Sequence, residues 1–495
     1  MEKFTFKDLA RMGKDISVPL RLEIDINSTV NATDNQFSQD IVIEKIFRIL
    51  PGKRLVGLCE YKGRWAVAKI FFSSKYWERH LRRELRGSQL LIEAGQSVPQ
   101  IVEILRSESN RGGVLLTKFL AGSETLGNLW SNSLASNTDL LLIFSALESI
   151  ASCHNRGLWQ EDIHLDNFLV FQRKIYLLDS GSIKVEMEND SLSQSKSLDN
   201  LALFFAQFPV WYDKNIQRLF SKYLKLRNSQ GWAISELGFI RMVKKARKKR
   251  LELYSRKLFR STSAHLFLQS IDRFLVYDRK LRSADFDAFV ENPDGCLQQG
   301  TIIKDGNSST IARVKINGHV YILKRYNIKG FLHRLKRLFR PSRAYKSWKA
   351  GHLLEMLGIG TAHPIMCLEQ RFFWIFRRRA YLLCDEISGD HLLSDFDSET
   401  KNLEQWERVF ASFRVLFDIM NEYKISHGDM KATNFIYSGE QLYVLDLDSL
   451  QWHQNGPSFS KKFSKDLKRF RKNWFGTNLE EQAGKAMANF MYDIG

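Results

Sequence analysis

Cysteines and long apolar runs are scarce in this chain. Its five cysteines are widely separated and form neither a Cys-x-x-Cys motif nor a cluster with histidine, which disfavours a disulfide framework or a cysteine zinc site. No stretch approaches the roughly 18 uninterrupted apolar residues that a membrane-spanning helix requires. The opening stretch, MEKFTFKDLARMGKDISVPL, lacks the apolar centre of a signal peptide. The sequence therefore predicts a protein of the reducing cytosol that neither crosses a membrane nor carries an evident export signal.

Acidic residues are also in short supply. The chain has 55 Asp and Glu against 74 Lys and Arg, for a net charge of +19. This excess predicts attraction to an anionic partner, whether nucleic acid, an acidic membrane surface or a phosphorylated substrate. The basic run KKARKKR at residues 244–250 fits nucleic acid, but no helix-turn-helix, RNA-binding sheet motif or zinc finger accompanies it. Nucleic acid is therefore the least favoured of the three partners.

The length of 495 residues exceeds what a single hydrophobic core serves, and domains of about 100 to 200 residues predict two to four of them. With 44% hydrophobic and 26% charged residues, the composition is that of a folded globular protein. The stretch ENPDGCLQQG, residues 291–300, combines turn-forming residues just before an alternating apolar run, which indicates a connection between domains. We therefore expect an N-terminal extension at 1–42, a first domain at 43–292 and a second at 300–495.

One polar constellation occurs twice. HGDMKATNFIYSGEQLYVLDLDS begins at His427, and QEDIHLDNFLVFQRKIYLLDSGS begins at Gln160. Each contains an aspartate, a basic residue two positions later, an asparagine five positions later, and a second aspartate 17 positions after the first. The residues are Asp429, Lys431, Asn434 and Asp446 in the later copy, and Asp162, His164, Asn167 and Asp179 in the earlier one. The common order and spacing indicate two copies of one unit.

A strand lysine precedes each constellation. STIARVKINGHVYILKRYN alternates apolar and polar residues around Asn317-Gly318, which predicts a type I′ hairpin with Lys324 in the returning strand. KRLVGLCEYKGRWAVAKIFF has the same outline around Lys62-Gly63, with Lys69 in the returning strand. The two domains therefore share a hairpin as well as a constellation.

An amphipathic helix follows each hairpin. RRELRGSQLLIEAGQ and SWKAGHLLEMLGIG both space their apolar residues helically and end at a glycine. Aligning Gly95 with Gly358 places Glu84 of the first helix opposite Ser347 of the second. An acidic residue is therefore present at this position in one copy and absent from the other.

A strand lysine, a helix glutamate and the two-aspartate constellation are together the parts of phosphoryl transfer in kinase-type enzymes. The lysines would neutralise nucleotide phosphates, the first aspartate would act on the acceptor hydroxyl, and the asparagine and second aspartate would bind Mg²⁺. Each motif alone also fits an ordinary turn or strand end, but their ordered recurrence favours the kinase interpretation. The candidate residues are Asp429, Lys431 and Asp162 for catalysis, Lys324, Lys69 and Glu84 for nucleotide binding, and Asn434, Asp446, Asn167 and Asp179 for metal binding.

Several accessory features are less specific. The stretches DGNSSTIARV and LPGKRLVG could cover phosphates with backbone amides, or could be ordinary hairpin turns. Asp199 and Asp466 follow the two constellations, and they fit a helix cap or a brace for the catalytic loop better than a chemical role.

At the level of these motifs, the chain resembles a known family. HGDMKATNFIY with LYVLDLDSL, EDIHLDNFLV with IYLLDSGS, and RAYKSWKAGHLLEMLGIGTAHPI are similar to loops and a helix of the bacterial lipopolysaccharide core kinases, the Kdo and heptose kinase or InaA-like family. The resemblance covers roughly residues 45–205 and 300–475. It implies an α+β fold of two tandem protein-kinase-like domains, each with a small antiparallel sheet lobe and a mainly helical lobe.

The same resemblance implies an activity. Members of this family use ATP and Mg²⁺ to phosphorylate a heptose or Kdo hydroxyl of the lipopolysaccharide inner core, in Gram-negative bacteria, at the cytoplasmic face of the inner membrane. The chain departs from the family pattern in both copies. Ser347 stands where a glutamate would hold the strand lysine, and Gln160-Glu161 replace the usual residues before the catalytic aspartate.

Positive charge is concentrated between Lys329 and Lys349, where eight Lys or Arg occur without an acidic residue. Apolar residues within the stretch fall on one helical face, which fits a helix lying on a membrane surface. It equally fits a helix packed on the small lobe with a solvated basic face. If the first alternative holds, the protein is peripheral on the anionic inner membrane.

Three functions remain open at this point. The leading hypothesis is a tandem core-sugar kinase whose second domain performs the chemistry, because its catalytic loop is the fuller one. A pseudokinase scaffold that binds nucleotide or other core-assembly enzymes is a second, favoured by Ser347 and Gln160-Glu161. A related small-molecule or protein kinase is the third.

Overall fold

The chain folds into mixed α and β structure with several sheets, as the α+β assignment predicts. The computed structural model describes residues 3–12, 16, 18–26, 37–72, 75–107, 111–132, 137–186, 190–228, 232, 234–262, 264–327, 341–372, 376–397, 399 and 401–493. The chain divides into two compact units. Unit one comprises Met1–Gln207 and Asp213–Arg247, and unit two comprises Phe208–Tyr212 and Lys248–Gly495.

Within the described residues, unit one contains a seven-stranded sheet of order β1-β2-β3-β4-β5-β7-β6, a three-stranded sheet β11-β10-β8 and the pair β12-β9. The strands are β1 (Lys3–Phe4), β2 (Leu20–Ile26), β3 (Phe37–Leu50), β4 (Arg54–Tyr61), β5 (Arg64–Phe71), β6 (Ile101–Arg106), β7 (Gly113–Lys118), β8 (Glu124–Thr125), β9 (Leu158–Gln160), β10 (Phe168–Phe171), β11 (Lys174–Leu177) and β12 (Ile183–Val185). The helices are α1 (Phe6–Arg11), α2 (Trp77–Glu93), α3 (Leu126–Asn132), α4 (Asn137–Asn155), α5 (Gln194–Phe205) and α6 (Ile216–Leu226). Helix α7 (Glu236–Lys257) begins in unit one and ends in unit two, since the division falls between Arg247 and Lys248.

The residues expected to form an N-terminal extension belong to the sheet of unit one. Strand β2 pairs antiparallel with β3, with Leu20 opposite Ile43. Leu20, Leu22 and Ile24 are fully buried in the core beneath the sheet. The expected boundary at residue 42 is therefore wrong, because alternate apolar residues of β2 complete the core of the first unit.

Unit two repeats this organisation. Over the residues described there, it has a seven-stranded sheet of order β13-β14-β19-β20-β17-β16-β15, a three-stranded sheet β18-β23-β22 and the pair β21-β24. The strands are β13 (His265–Gln269), β14 (Arg273–Asp278), β15 (Thr301–Asp305), β16 (Ser309–Ile316), β17 (His319–Tyr326), β18 (Gly360–Thr361), β19 (Pro364–Phe372), β20 (Phe376–Asp385), β21 (Ile425–Ser426), β22 (Phe435–Ser438), β23 (Gln441–Val444) and β24 (Gln451–Trp452). The helices are α8 (Ala284–Glu291), α9 (Pro293–Gln299), α10 (Arg343–Leu357), α11 (Leu392–Asp397), α12 (Leu403–Tyr423), α13 (Gly456–Trp474) and α14 (Glu480–Met487).

The expected connection at residues 291–300 lies inside unit two. Pro293 opens helix α9, and the side chain of Asn292 caps that helix by accepting a hydrogen bond from the backbone N–H of Gly295. Leu297 is buried in the core of unit two. The residues that suggested a linker are thus the start signals of a helix, since proline and asparagine also favour the first positions of helices.

The two predicted hairpins are confirmed. Lys62 and Gly63 have φ values of 49° and 72°, and Asn317 and Gly318 have φ values of 52° and 81°. Positive φ at both central residues is the property of a type I′ turn. These turns place Lys69 on β5 and Lys324 on β17.

Candidate active site

The loops Asp429–Asn434 and Asp162–Asn167 have the same internal hydrogen bond. In unit two, the amide nitrogen of Asn434 donates to the backbone carbonyl of Asp429 at 2.9 Å. In unit one, Asn167 donates to the carbonyl of Asp162 at 2.8 Å. The five-residue spacing read from the sequence therefore corresponds to one closed loop in both units, with the amide oxygen of each asparagine left for another ligand.

The residue two positions before each first aspartate also has the same role in both units. Nε2 of His427 lies 3.0 Å from the carbonyl oxygen of Leu445, and Nε2 of Gln160 donates to the carbonyl of Leu178 at 2.9 Å. Leu445 and Leu178 directly precede the second aspartates. Glutamine can make this bond because its amide supplies an N–H donor, as an imidazole does. Gln160 therefore bonds to the backbone before Asp179 as His427 does before Asp446, although the residue type differs.

The second aspartates share an uncommon backbone conformation. Asp446 has φ 54° and ψ 58°, and Asp179 has φ 56° and ψ 49°. Each is followed at once by one 3₁₀ turn, Leu447–Ser449 or Ser180–Ser182. The left-handed region costs a residue with a Cβ about 1 kcal/mol or more, and such conformations cluster at functional sites. The repeated conformation singles out these two aspartates.

In unit two, the strand lysine pairs directly with the second aspartate. Nζ of Lys324 lies 2.6 Å from Oδ1 of Asp446. Burial opposes ionisation of Asp446, but Lys324 outweighs it and holds the pKa of that carboxyl below its usual value. Burial and the neighbouring Asp446 together raise the pKa of Asp448. Nη1 of Arg343 lies 3.7 Å from Oδ2 of Asp448, so two cations accompany these two carboxyl groups.

The helix position expected to hold a glutamate carries no charge in unit two. The hydroxyl of Ser347 lies 3.2 Å from the phenol oxygen of buried Tyr326, and both are hydrogen-bonding groups of the helix–sheet interface. Asp446 takes over the role of anionic partner for Lys324. A carboxylate within hydrogen-bond distance therefore holds the lysine without a helix glutamate.

The first aspartate of unit two has a lysine beside it. Nζ of Lys431 lies 2.9 Å from Oδ2 of Asp429, and both side chains are partly exposed. The equivalent His164 of unit one turns to a different residue. Its Nδ1 lies 3.1 Å from Oδ2 of Asp166 and accepts a hydrogen bond from the backbone N–H of Asp166. The pairing of a basic residue with the first aspartate is thus present in unit two only, over the described residues.

A cavity of about 590 Å³ adjoins these groups in unit two. Its wall combines apolar side chains of the sheet with the polar side chains discussed above. Among the lining residues are Ile311, Ile322, Leu382, Lys324, Asn434 and Asp446. A largely apolar concave wall with a few convergent polar groups is the usual construction of a small-molecule site.

Unit one contains the expected lysine–glutamate pair and an additional cation. Nζ of Lys69 lies 2.8 Å from Oε1 of buried Glu84 and 3.7 Å from Oδ1 of Asp179. Nη1 of Arg54 lies 3.3 Å from the same oxygen of Glu84 and 3.4 Å from that of Asp179. Burial opposes ionisation of Asp179, but Lys69 and Arg54 outweigh it and lower its pKa. Two cations therefore lie beside Oδ1 of Asp179.

The sequence does not identify Arg54 as a site residue. It follows Gly52 in LPGKRLVG, which fits a phosphate-covering loop, and it is the first residue of β4. Its partner Asp179 lies far along the chain. A cation at the start of the first hairpin strand is the only local signal, and its meaning depends on a tertiary contact.

A buried carboxylate braces the backbone just before the Asp429–Asn434 loop of unit two. Oδ2 of Asp466 accepts the backbone N–H of His427 at 2.6 Å, and Oδ1 accepts that of Gly428 at 2.9 Å. The prediction of a brace is confirmed for Asp466 and wrong for Asp199, which is exposed. In unit one the neighbouring Asn200 donates instead to the carbonyl of Gln160 at 2.8 Å.

Most of the basic stretch Lys329–Lys349 cannot be compared with its prediction. Residues 328–340 lie outside the described residues, and helix α10 begins at Arg343. Among the residues that the structure describes, no helix combines the length and apolarity needed to cross a membrane.

Comparison of the chain with known protein families and with curated proteins finds no match.

Proposed function

We propose that this protein is an ATP- and Mg²⁺-dependent kinase with two tandem protein-kinase-like domains, and that it phosphorylates a heptose or Kdo hydroxyl of the lipopolysaccharide inner core. The observation that carries the proposal is the joint arrangement in unit two. Lys324 and Asp446 form an ion pair on the wall of a cavity of about 590 Å³, which Asn434 of the closed catalytic loop also lines. Lysine, asparagine and aspartate in this order are the phosphate- and metal-binding groups of kinases.

The residues of unit two fit a magnesium ion. Mg²⁺ prefers oxygen ligands, and the site offers the carboxylate of Asp446 and the amide oxygen of Asn434. The amide nitrogen of Asn434 is already committed to the carbonyl of Asp429, so its oxygen is the end that remains. When bound, the ion would neutralise charge on the β- and γ-phosphates of the nucleotide.

The side chains of unit two can supply the other requirements of the transfer. Lys324 would contact the nucleotide phosphates, since it is held at the cavity wall by Asp446. Asp429 would orient the sugar hydroxyl and accept its proton, and Lys431 at 2.9 Å would stabilise charge near the transferred group. Asp466 would keep the loop rigid through its two backbone hydrogen bonds.

Unit one is assigned a supporting role. Its closed loop and its Lys69–Glu84 pair match the kinase pattern, but Arg54 and Lys69 both contact Asp179. Two cations within 3.7 Å of Oδ1 of Asp179 compete with a metal ion for this carboxylate, whereas Oδ1 of Asp446 pairs with one cation, Lys324. We therefore assign the chemistry to unit two, and a role in nucleotide or substrate binding to unit one.

The sugar substrate rests on the resemblance of the motifs and on charge. An inner core bearing phosphates and carboxylates is anionic, and a net charge of +19 favours its binding. A pseudokinase scaffold that serves other core-assembly enzymes, or a related small-molecule or protein kinase, would use the same cavity. The experiment must therefore separate transfer from binding.

The test compares Asp429→Asn and Asp446→Asn with the matched change Asp162→Asn in unit one. Loss of a catalytic or metal-binding carboxylate removes several kcal/mol of transition-state stabilisation, so the unit-two variants should transfer phosphate at least about 100-fold more slowly. Mass spectrometry of lipopolysaccharide from complemented deletion cells, and assays with ATP and purified core oligosaccharide, measure the effect. Asp162→Asn should retain most activity.

Each of the other outcomes supports a different conclusion. If Asp162→Asn is inactive while the unit-two variants work, unit one is the catalytic one. If the core phosphates do not depend on the protein but ATP binding is lost in Asp446→Asn, the scaffold is supported. If ATP is hydrolysed with another acceptor only, the sugar assignment is wrong and a related kinase takes its place.

Peripheral membrane attachment is part of the proposal. Each basic residue near an anionic surface adds on the order of 1 kcal/mol, and salt screens the attraction as the Debye length falls from about 10 Å at 0.1 M to about 3 Å at 1 M. Sedimentation with anionic liposomes should therefore weaken in high salt and after reversal of four basic residues. The variant carries Arg334→Glu, Lys336→Glu, Arg337→Glu and Arg340→Glu, and its control carries Lys461→Glu, Lys465→Glu, Lys468→Glu and Lys472→Glu. Equal loss in both would refute a specific role of residues 329–349.

A further inference from the structure

Two histidines and a glutamate form a compact cluster in unit two, and none of them is among the residues that line the cavity. His352 and Glu355 are three residues apart on α10 and so share a face of that helix. His363 lies in the connection between β18 and β19. One possible ligand atom from each side chain falls within 4.8 Å of the others.

The distances within the cluster suit a metal ion. Nδ1 of His363 lies 2.8 Å from Oε1 of Glu355, and Nδ1 of His352 lies 3.8 Å from Oε2 of the same carboxylate. Ligand atoms bound to zinc at about 2.0–2.1 Å in a tetrahedron are about 3.3 Å apart. The observed separations bracket that value, so small side-chain movements would complete the coordination.

His352 has an unfulfilled polar atom. The residue is 3% exposed, and its Nε2 has no hydrogen-bond partner in the described part of the chain. Its Nδ1 is farther from Glu355 than a hydrogen bond allows. Nδ1 is the nitrogen nearest to Glu355 and is therefore the ligand atom that His352 offers, whereas Nε2 is the opposite nitrogen of the ring.

The cluster is open to solvent on its other side. The side chains of Glu355 and His363 are 32% and 39% exposed, which leaves a path for an ion. The backbone carbonyl of His363 accepts a hydrogen bond from the N–H of Asp385 at 3.0 Å, which fixes the connection that carries the imidazole. On the buried side of the cluster, the ring of His265 lies 5.0 Å from that of His352, centroid to centroid.

We propose that His352, Glu355 and His363 bind a divalent transition-metal ion of the zinc class, with the fourth position open to water. Two imidazoles and one carboxylate are a ligand set that zinc uses, whereas Mg²⁺ prefers oxygen ligands alone. This site is distinct from the magnesium ligands proposed above and does not depend on them.

The ion would act as a tether for α10. In unit one the corresponding helix α2 is tied to its sheet by the Glu84–Lys69 pair, and in unit two Ser347 stands at that position. A metal ion would join α10 to the β18–β19 connection instead. Ser347 on α10 and Thr361 on β18 both line the cavity, so the tether would position two parts of its wall.

The test uses the full-length protein after removal of any affinity tag and treatment with a chelator. Co²⁺ serves as a spectroscopic probe and Zn²⁺ as the competitor. The variants His363→Asn and Glu355→Gln change partly exposed ligands, and the controls His319→Asn and Glu440→Gln change the same residue types at exposed positions of unit two. Circular dichroism verifies that each protein is folded.

We expect one Co²⁺ per chain, with visible absorption typical of four- or five-coordinate cobalt that Zn²⁺ abolishes. Both ligand variants should bind at least tenfold more weakly, and Zn²⁺ should raise the Tm of the wild type and the controls only. Binding by the ligand variants equal to that of the controls would overturn the site. Absence of cobalt absorption and of a zinc-dependent Tm shift in the wild type would also overturn it, leaving a histidine–glutamate ion pair.

Discussion

His154 of unit one shows how burial governs a single side chain. It is 1% exposed, its Nδ1 lies 2.6 Å from the hydroxyl of Tyr223, and its Nε2 lies 3.1 Å from Oδ1 of Asn200. Burial lowers the pKa of His154 to about 3. Asn200 in turn donates to the carbonyl of Gln160 just before the Asp162–Asn167 loop, so the neutral imidazole supports that loop indirectly.

This environment predicts acid sensitivity of unit one. The folded pKa of about 3 lies below the unfolded value of about 6.5, so the unfolded state takes up the proton first. The stability that His154 contributes is complete above pH 6.5 and falls by about 1.4 kcal/mol per pH unit as the pH drops toward 3. Urea unfolding at pH 7.5 and pH 5.0 should show a smaller acid loss for His154→Gln than for the wild type. Equal losses would refute the assignment.

Contacts between elements decide where glycine is required. Gly87 lies on α2 against the 3₁₀ turn that follows Asp179, and a Cβ built on it would lie 1.9 Å from the carbonyl oxygen of Ser180. Next to it, the hydroxyl of Ser88 lies 2.9 Å from that of Ser180. Helix α2 and the 3₁₀ turn Ser180–Ser182 of unit one are therefore in direct backbone contact.

A pair of helix glycines tests this contact. Gly87→Ala should destabilise unit one by about 1–3 kcal/mol, because the methyl group forces α2 away from Ser180. Gly484→Ala on α14, where a Cβ would meet nothing within 4 Å, should instead stabilise by about 0.5–1 kcal/mol through helix propensity. Chemical denaturation of both variants measures the sign. A neutral Gly87→Ala would mean that α2 is free to move.

The elements that could be predicted are those whose identifying residues lie close together in the sequence. Both hairpins, both strand lysines and both asparagine–aspartate loops follow from turn chemistry and spacing within about 20 residues. The strands β13 and β14 could not be placed, because β14 pairs with β19, with Val276 opposite Cys367, far along the chain. Arg54 was missed for the same reason, since its contact with Asp179 is tertiary. The roles of the site residues stay predictions.

At the scale of the molecule, two units with similar parts differ in the charge around the second aspartate. In unit one Oδ1 of Asp179 lies within 3.7 Å of both Lys69 and Arg54. In unit two Oδ1 of Asp446 pairs with Lys324, while Arg343 pairs with the neighbouring Asp448. A metal ion at Asp446 would therefore meet one cation on that oxygen, and a metal ion at Asp179 would meet two. A duplicated fold can therefore carry chemistry in one unit and support in the other.

The extent of unit two gives a last prediction. A fragment of residues 300–495 lacks β13 and β14, and so loses the buried side chains Leu275, Val276 and Tyr277 from the sheet. Burial of such side chains contributes about 1.5–3 kcal/mol each, and the total stability of a domain is only about 5–15 kcal/mol. The fragment should therefore not fold, whereas residues 248–495, which retain both strands and the buried Leu258 that follows α7, should melt cooperatively by circular dichroism. Cooperative melting of residues 300–495 with the same Tm would return the boundary to residues 291–300.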